Sequence, residues 1–138
     1  MKKYILVLCT GNSCRSQMAE GYLRHFAGDT AVVYSAGIET HGVNPKAIEV
    51  MKEEGIDISK HTSNNISEYR DINFDLVITV CDHAKESCPW FPTNAKMFHR
   101  NFPDPAKAEG NEEEVMSAFR EVRNSIRDYC KNFVKENC

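Results

Sequence analysis

The sequence predicts a single α/β domain: a parallel sheet wrapped by helices. Two observations carry this. The runs Tyr4 to Leu8 and Leu76 to Val80 are near-continuously apolar, as strands buried on both faces are. Stretches with helical apolar spacing alternate with these and other strand-like runs, which is the pattern of a parallel sheet with crossover helices. Ligands in such folds sit beyond the C-terminal strand ends, and Cys9 and Cys81 each follow one of the two apolar runs.

The elements follow in order. After the first strand, Met18, Ala19, Tyr22, Leu23 and Phe26 share one helical face. A Gly28-Asp29 turn leads to a second strand, Val32 to Tyr34, closing at Ser35-Ala36-Gly37. Asn44 and Pro45 form an N-cap and first-turn pair for a helix carrying Ala47, Ile48 and Met51, which Gly55 ends. A polar stretch from Ser59 to Glu68 precedes the third strand, and a loop-like segment from Asp82 to Thr93 follows it. Lys96-Met97-Phe98 reads as a short fourth strand. Asn111 with Glu112, Glu113 and Glu114 opens the last helix, where acidic residues suit the dipole. Its apolar face is Val115, Phe119, Val122, Ile126, Tyr129 and Phe133.

The chemistry concentrates in Cys9-Thr10-Gly11-Asn12-Ser13-Cys14-Arg15-Ser16, between the first strand and the first helix. A loop there aims backbone N–H groups at a helix N-terminus, where an oxyanion is favoured. A cysteine beside such donors is expected to have a depressed pKa and to be a thiolate at neutral pH. Arg15 adds a bidentate grip on the same anion. Ser16 is placed to cap the helix and to donate to the thiolate. Asn12 is expected to hold the loop's shape through its side chain, and Cys14 to pack rather than to react. No Gly-x4-Gly-Lys-Ser/Thr nucleotide loop is present.

Composition excludes other classes. With 138 residues and a net charge of −3, one mildly acidic domain is expected, with no basic block for nucleic acid. No run is long enough to span a membrane, and the apolar start lacks a small-residue cleavage site, so a cytoplasmic protein is expected. Six cysteines then point to redox catalysis or metal binding rather than a secreted disulfide framework. Cys130 and Cys138 read as structural or incidental. The five histidines show no ligand spacing and read as surface or capping residues.

The sequence resembles the low-molecular-weight tyrosine phosphatase superfamily and, within it, the thioredoxin-coupled arsenate reductases. Five blocks spread along the chain carry the likeness: residues 8–21 (LCTGNSCRSQMAEG); Tyr34 to Ile38 with His41-Gly42 and Asn44-Pro45; Gly55 to Ser59 with His61-Thr62-Ser63; Asp75 to Cys81 with Cys88-Pro89; and Phe102 to Ala106. The resemblance implies a four-stranded sheet in the order 2-1-3-4, with strands 1 and 3 adjacent. It implies arsenate as substrate, bound by Thr10, Gly11, Asn12, Ser13, Cys14 and Arg15, in the service of arsenic detoxification. Cys9 is then the nucleophile and Asp104 the general acid. Cys81 is the second thiol, which expels arsenite, and Cys88 the shuttle that carries the disulfide outward. Trp90 lies within the segment proposed to rearrange. Reduced thioredoxin is the implied electron donor, with no tightly bound cofactor and a monomeric state.

Some relatives hold a structural potassium ion, whose side-chain ligands would fall on Asn12, Glu20, Ser35 and position 64. Asn64 stands here where an aspartate is common, which removes a negative charge. A second departure is Arg100-Asn101-Phe102-Pro103 before Asp104-Pro105, where reductases often have Trp-Gly-Phe-Asp.

Two rivals share these residues. A tyrosine phosphatase would use the same thiolate and acid, but phosphotyrosine needs aromatic walls, and Ala106-Lys107-Ala108 follow the acid. A non-catalytic metal- or anion-binding protein would use the cysteines as ligands, yet their spacings are not those of a zinc knuckle.

Overall fold

A computed structural model describes residues 2–81 and 94–138. The sequence expectations for the 82–93 segment, including those for Cys88 and Trp90, lie outside the described residues.

Four parallel strands, β1 (Lys3–Leu8), β2 (Ala31–Ala36), β3 (Leu76–Thr79) and β4 (Lys96–His99), form one sheet in the order β2-β1-β3-β4. The helices are α1 (Arg15–Ala27), α2 (Pro45–Glu53) and α3 (Glu112–Asn137). Side chains alternate across the pleat. Ile5, Val7, Leu76 and Ile78 meet Met18, Tyr22 and Leu23 of α1, Met51 of α2, and Phe119, Ile126 and Phe133 of α3 in the main core. Leu6, Leu8, Ala36 and Val77 line the opposite face with Phe74.

The second face has a different cover. Among the described residues, a short 3-10 turn (Ile66–Tyr69) and the chain after it cover it. Tyr34 sits edge-on to both Tyr69 and Phe74, with ring centroids 5.0 and 5.6 Å away. Ile66, Tyr69, Ile72 and Phe74 lack a helical period, so one ring cluster replaces a helix stripe.

The helix signals read from sequence fall where the caps are. Asn44 accepts a hydrogen bond from the Lys46 amide at 2.8 Å, with Pro45 in the first turn. Asn111 and Glu114 form a reciprocal capping box on α3. Gly28 and Gly55 follow α1 and α2 with φ of 55° and 77°, a region that favours glycine. Glu53 of α2 ties the two helices together, accepting from Arg123 at 2.7 Å and Arg120 at 2.9 Å. Among the described residues, no helix is long and apolar enough to cross a membrane.

Strand register positions the chemistry. Leu8 lies opposite Thr79 and Ala36, the Cys9 amide donates to the Ala36 carbonyl at 3.1 Å, and the Val80 amide donates to that of Leu8 at 3.0 Å. The chain therefore leaves adjacent strands at the same sheet edge with Cys9 and Cys81 one register step apart. Both are buried.

Candidate active site

The loop from Cys9 to Cys14 is held from outside by its carbonyls. Those of Thr10, Gly11 and Ser13 accept from the amides of Glu39, His41 and Asn44 at 3.0, 3.2 and 3.1 Å. The carbonyl of Asn12 accepts from the Gln17 side chain at 3.0 Å, and that of Cys14 from the Met18 amide at 2.9 Å. A trans peptide sets each carbonyl opposite to the next residue's N–H. Drawing these carbonyls outward turns the amides of residues 11–15 toward the loop's centre, forming a nest for an anion.

Asn12 is the pin of this loop. Its φ is 48°, the only positive value at a non-glycine residue among those described, and asparagine tolerates that region best. Its buried side chain donates to the hydroxyls of Ser16 at 2.8 Å and Ser35 at 3.0 Å, and its carbonyl oxygen accepts from the Asn64 amide at 2.7 Å. Ser16 thus departs from the expected cap. The helix starts one residue earlier, at Arg15, so Ser16 lies inside the first turn as an acceptor for Asn12.

Arg15 is 3 % exposed. It donates to the Phe102 carbonyl at 3.2 Å and approaches the Asp104 carboxylate at 3.7 Å. The other oxygen of Asp104 accepts from the Ala106 amide at 3.0 Å, so the aspartate caps a one-turn 3-10 helix (Pro105–Lys107) beside the pocket. The departure upstream has a packing role: Arg100 stacks over the rings of Phe102 and Tyr129, 5.3 and 5.8 Å from their centroids.

These groups enclose a cavity of about 240 Å³ lined by Cys9, Thr10, Gly11, Ser13, Cys14, Arg15, Glu39, His41, Asp104, Ala106 and Lys107. Cys14 is buried, and burial first, then the Asp104 charge, pushes its thiol up to about 12. It stays protonated at neutral pH, as a packing residue does. Cys130 is free and buried, its thiol raised by burial, and Cys138 is free and exposed at the far end of α3. Cys9 is not in a disulfide, whereas Cys81 is disulfide-bonded. Cys88 lies outside the described residues.

Sequence reasoning missed several residues. Gln17 is buried and donates to both the Asn12 and Thr62 carbonyls, each at 3.0 Å. His41 lines the cavity, pairs with Glu39 at 2.9 Å and lies against Gly11. His61 is not a surface residue: it contacts Gln17 at 3.1 Å, and burial lowers its pKa. A polar side chain on the inner face of a helix, as Gln17 is, was the available signal. Among the described residues no three His, Cys, Asp or Glu side chains converge as a metal centre does.

A family profile described as low molecular weight phosphotyrosine protein phosphatase matches residues 4–137. The chain belongs to that family. Within this phosphatase family it is 54% identical to an arsenate reductase of Halalkalibacterium halodurans, over 97% of this chain and 96% of the relative. It is 51% identical to an arsenate reductase of Bacillus subtilis, over 96% of each. A solved arsenate reductase in the phosphate-binding state, 31% identical, superposes with a TM-score of 0.83 over 99% of each chain. These likenesses agree with the observed fold and its 2-1-3-4 strand order.

Proposed function

We propose that this protein reduces arsenate to arsenite through a three-cysteine relay regenerated by thioredoxin. The observation that carries the reading is two cysteines at one end of the sheet: Cys9, outside any disulfide, at the anion cradle, and Cys81, disulfide-bonded, just beyond the end of the adjacent strand β3. Phosphate transfer has no use for the second sulfur. A two-electron reduction requires one.

The steps balance as follows. The Cys9 thiolate attacks arsenic while Asp104 protonates the departing oxygen, leaving a Cys9–arsenic bond. The Cys81 thiolate attacks the Cys9 sulfur. The electron pair of the sulfur–arsenic bond passes to arsenic, arsenite leaves, and Cys9–Cys81 becomes a disulfide. Cys88 attacks Cys81, freeing Cys9 and moving the disulfide to Cys81–Cys88. The dithiol of thioredoxin then returns the pair to thiols.

Arg15 and the loop amides hold the oxyanion, and Asp104 touches both the cavity and Arg15. Among the described residues the cavity lining contains no phenylalanine, tyrosine or tryptophan, which favours a small inorganic oxyanion over an aryl phosphate. Shared use of thiolate and acid leaves room for weak phosphatase activity. A relay fed by thioredoxin fits a monomer working in a reducing, cytoplasmic compartment.

The test is arsenate-dependent NADPH oxidation in the presence of thioredoxin and its reductase. Sustained oxidation that requires all three proteins supports the reading. Aryl phosphate hydrolysis without arsenate turnover would replace it with the phosphatase.

A further inference from the structure

The potassium expectation can be tested against the side chains that would serve it. The side-chain oxygen of Asn12 already accepts from the Asn64 amide at 2.7 Å, and its NH2 group faces Ser16 and Ser35. That bond also fixes the amide's orientation, since an N–H can only donate. Glu20 is 6 % exposed, and each of its oxygens already has a partner. One accepts from the Ser35 hydroxyl at 2.6 Å; the other faces Arg24 at 3.0 Å and His61 at 3.5 Å. Asn64 is neutral, and its side chain is engaged by Thr62 and Glu68. The residues present do not fit a hard cation that wants several free oxygens.

We infer that the Arg24 guanidinium is a built-in substitute for a bound alkali cation, a positioning residue that keeps the anion loop in shape without one. The connection runs through hydrogen bonds. Arg24 is anchored by the Val33 carbonyl at 2.8 Å and by Glu20. Glu20 holds Ser35, Ser35 accepts from Asn12, and Asn12 shapes the loop. The contact differs from an ordinary helix-surface pair. Glu20 and Arg24 are four residues apart on α1, and the Arg24 side chain is largely exposed, but the carboxylate is buried and accepts from Ser35 on its other oxygen. A buried carboxylate stripped of its partner is costly, so removing the guanidinium should create a demand for a cation.

Thermal unfolding and inorganic phosphate affinity of the full-length protein are measured in potassium chloride and in tetramethylammonium chloride at equal ionic strength. Wild type is expected to show the same Tm and phosphate Kd in both salts. Arg24→Ala is expected to melt roughly 3–6 °C lower in tetramethylammonium and to bind phosphate more weakly, with potassium restoring both. Arg24→Lys, which keeps the charge, should behave as wild type. If Arg24→Ala does not fold, Arg24→Gln keeps most of the stem, loses the charge and gives the same reading. A potassium-specific rise in wild-type Tm would overturn the inference. So would an uncharged variant that matches wild type in tetramethylammonium, or one that potassium fails to rescue.

Discussion

Gly37 lies so close beneath the anion loop that a methyl group on it would sit 2.5 Å from the Thr10 carbonyl oxygen and 2.8 Å from that of Cys9. Its own amide donates to the Asn64 carbonyl and its carbonyl accepts from the Ile66 amide, so it cannot retreat without breaking an isolated bridge. The glycine at the end of β2 therefore sets how closely the loop can approach the sheet.

Gly37→Ala should fold, at a cost of about 1–3 kcal/mol for overpacking, with the loop displaced. Misplacing reacting groups by about 1 Å can cost on the order of 100-fold. A drop of that size in kcat/KM, together with weaker phosphate binding by calorimetry, is expected. Wild-type values for both would mean that the loop's shape is set elsewhere.

The cysteines should separate by reactivity. Cys9 lines the cavity beside the anion loop and should be alkylated by iodoacetamide at neutral pH, with phosphate protecting it. Cys14, five residues on, has its thiol pushed up to about 12 by burial and the nearby Asp104 charge. Its thiolate fraction grows only as pH rises toward that value, so it should resist the reagent through the neutral and mildly alkaline range. Peptide mapping across pH reads both. Equal labelling of Cys9 and Cys14 at neutral pH would contradict the division of roles.

Asp104→Asn keeps the oxygen that accepts from the Ala106 amide and so preserves the 3-10 cap. It removes the proton donor and the negative charge 3.7 Å from Arg15. The first chemical step should slow by about 100- to 10,000-fold, while phosphate binds as well as before or better. An unchanged single-turnover rate at neutral pH would assign the proton to another group.

Much of this site is legible in the chain. The apolar runs 4–8 and 76–80 mark strands, Asn44-Pro45 and Asn111 with Glu114 mark helix starts, and Cys9 to Ser16 marks the cradle, because each is local in sequence. What stays hidden depends on which partner each side chain takes once the chain is folded. Nothing near Ser16 says that Asn12 will claim its hydroxyl. Gln17 carries no signal of its own, and His61 reads as a surface or capping residue, until α1 is packed against residues 61–64. The contact of Arg24 with Glu20, one turn back, and the Ser35 hydroxyl on the same carboxylate show only in the folded chain. The aromatic cover of the second sheet face, Tyr69 and Phe74 on Tyr34, has no period to betray it.

The relay is tested most directly by single-turnover arsenite quantification with disulfide mapping in Cys88→Ser. If Cys88 acts only after arsenite has left, the variant completes the first two steps. It should release about one arsenite per protein, the yield of one two-electron thiol-to-disulfide oxidation. It should then stop with Cys9 and Cys81 joined, and thioredoxin should restart it poorly. Sustained thioredoxin-driven turnover in Cys88→Ser, or arsenite release with no Cys9–Cys81 disulfide, would contradict the three-cysteine account.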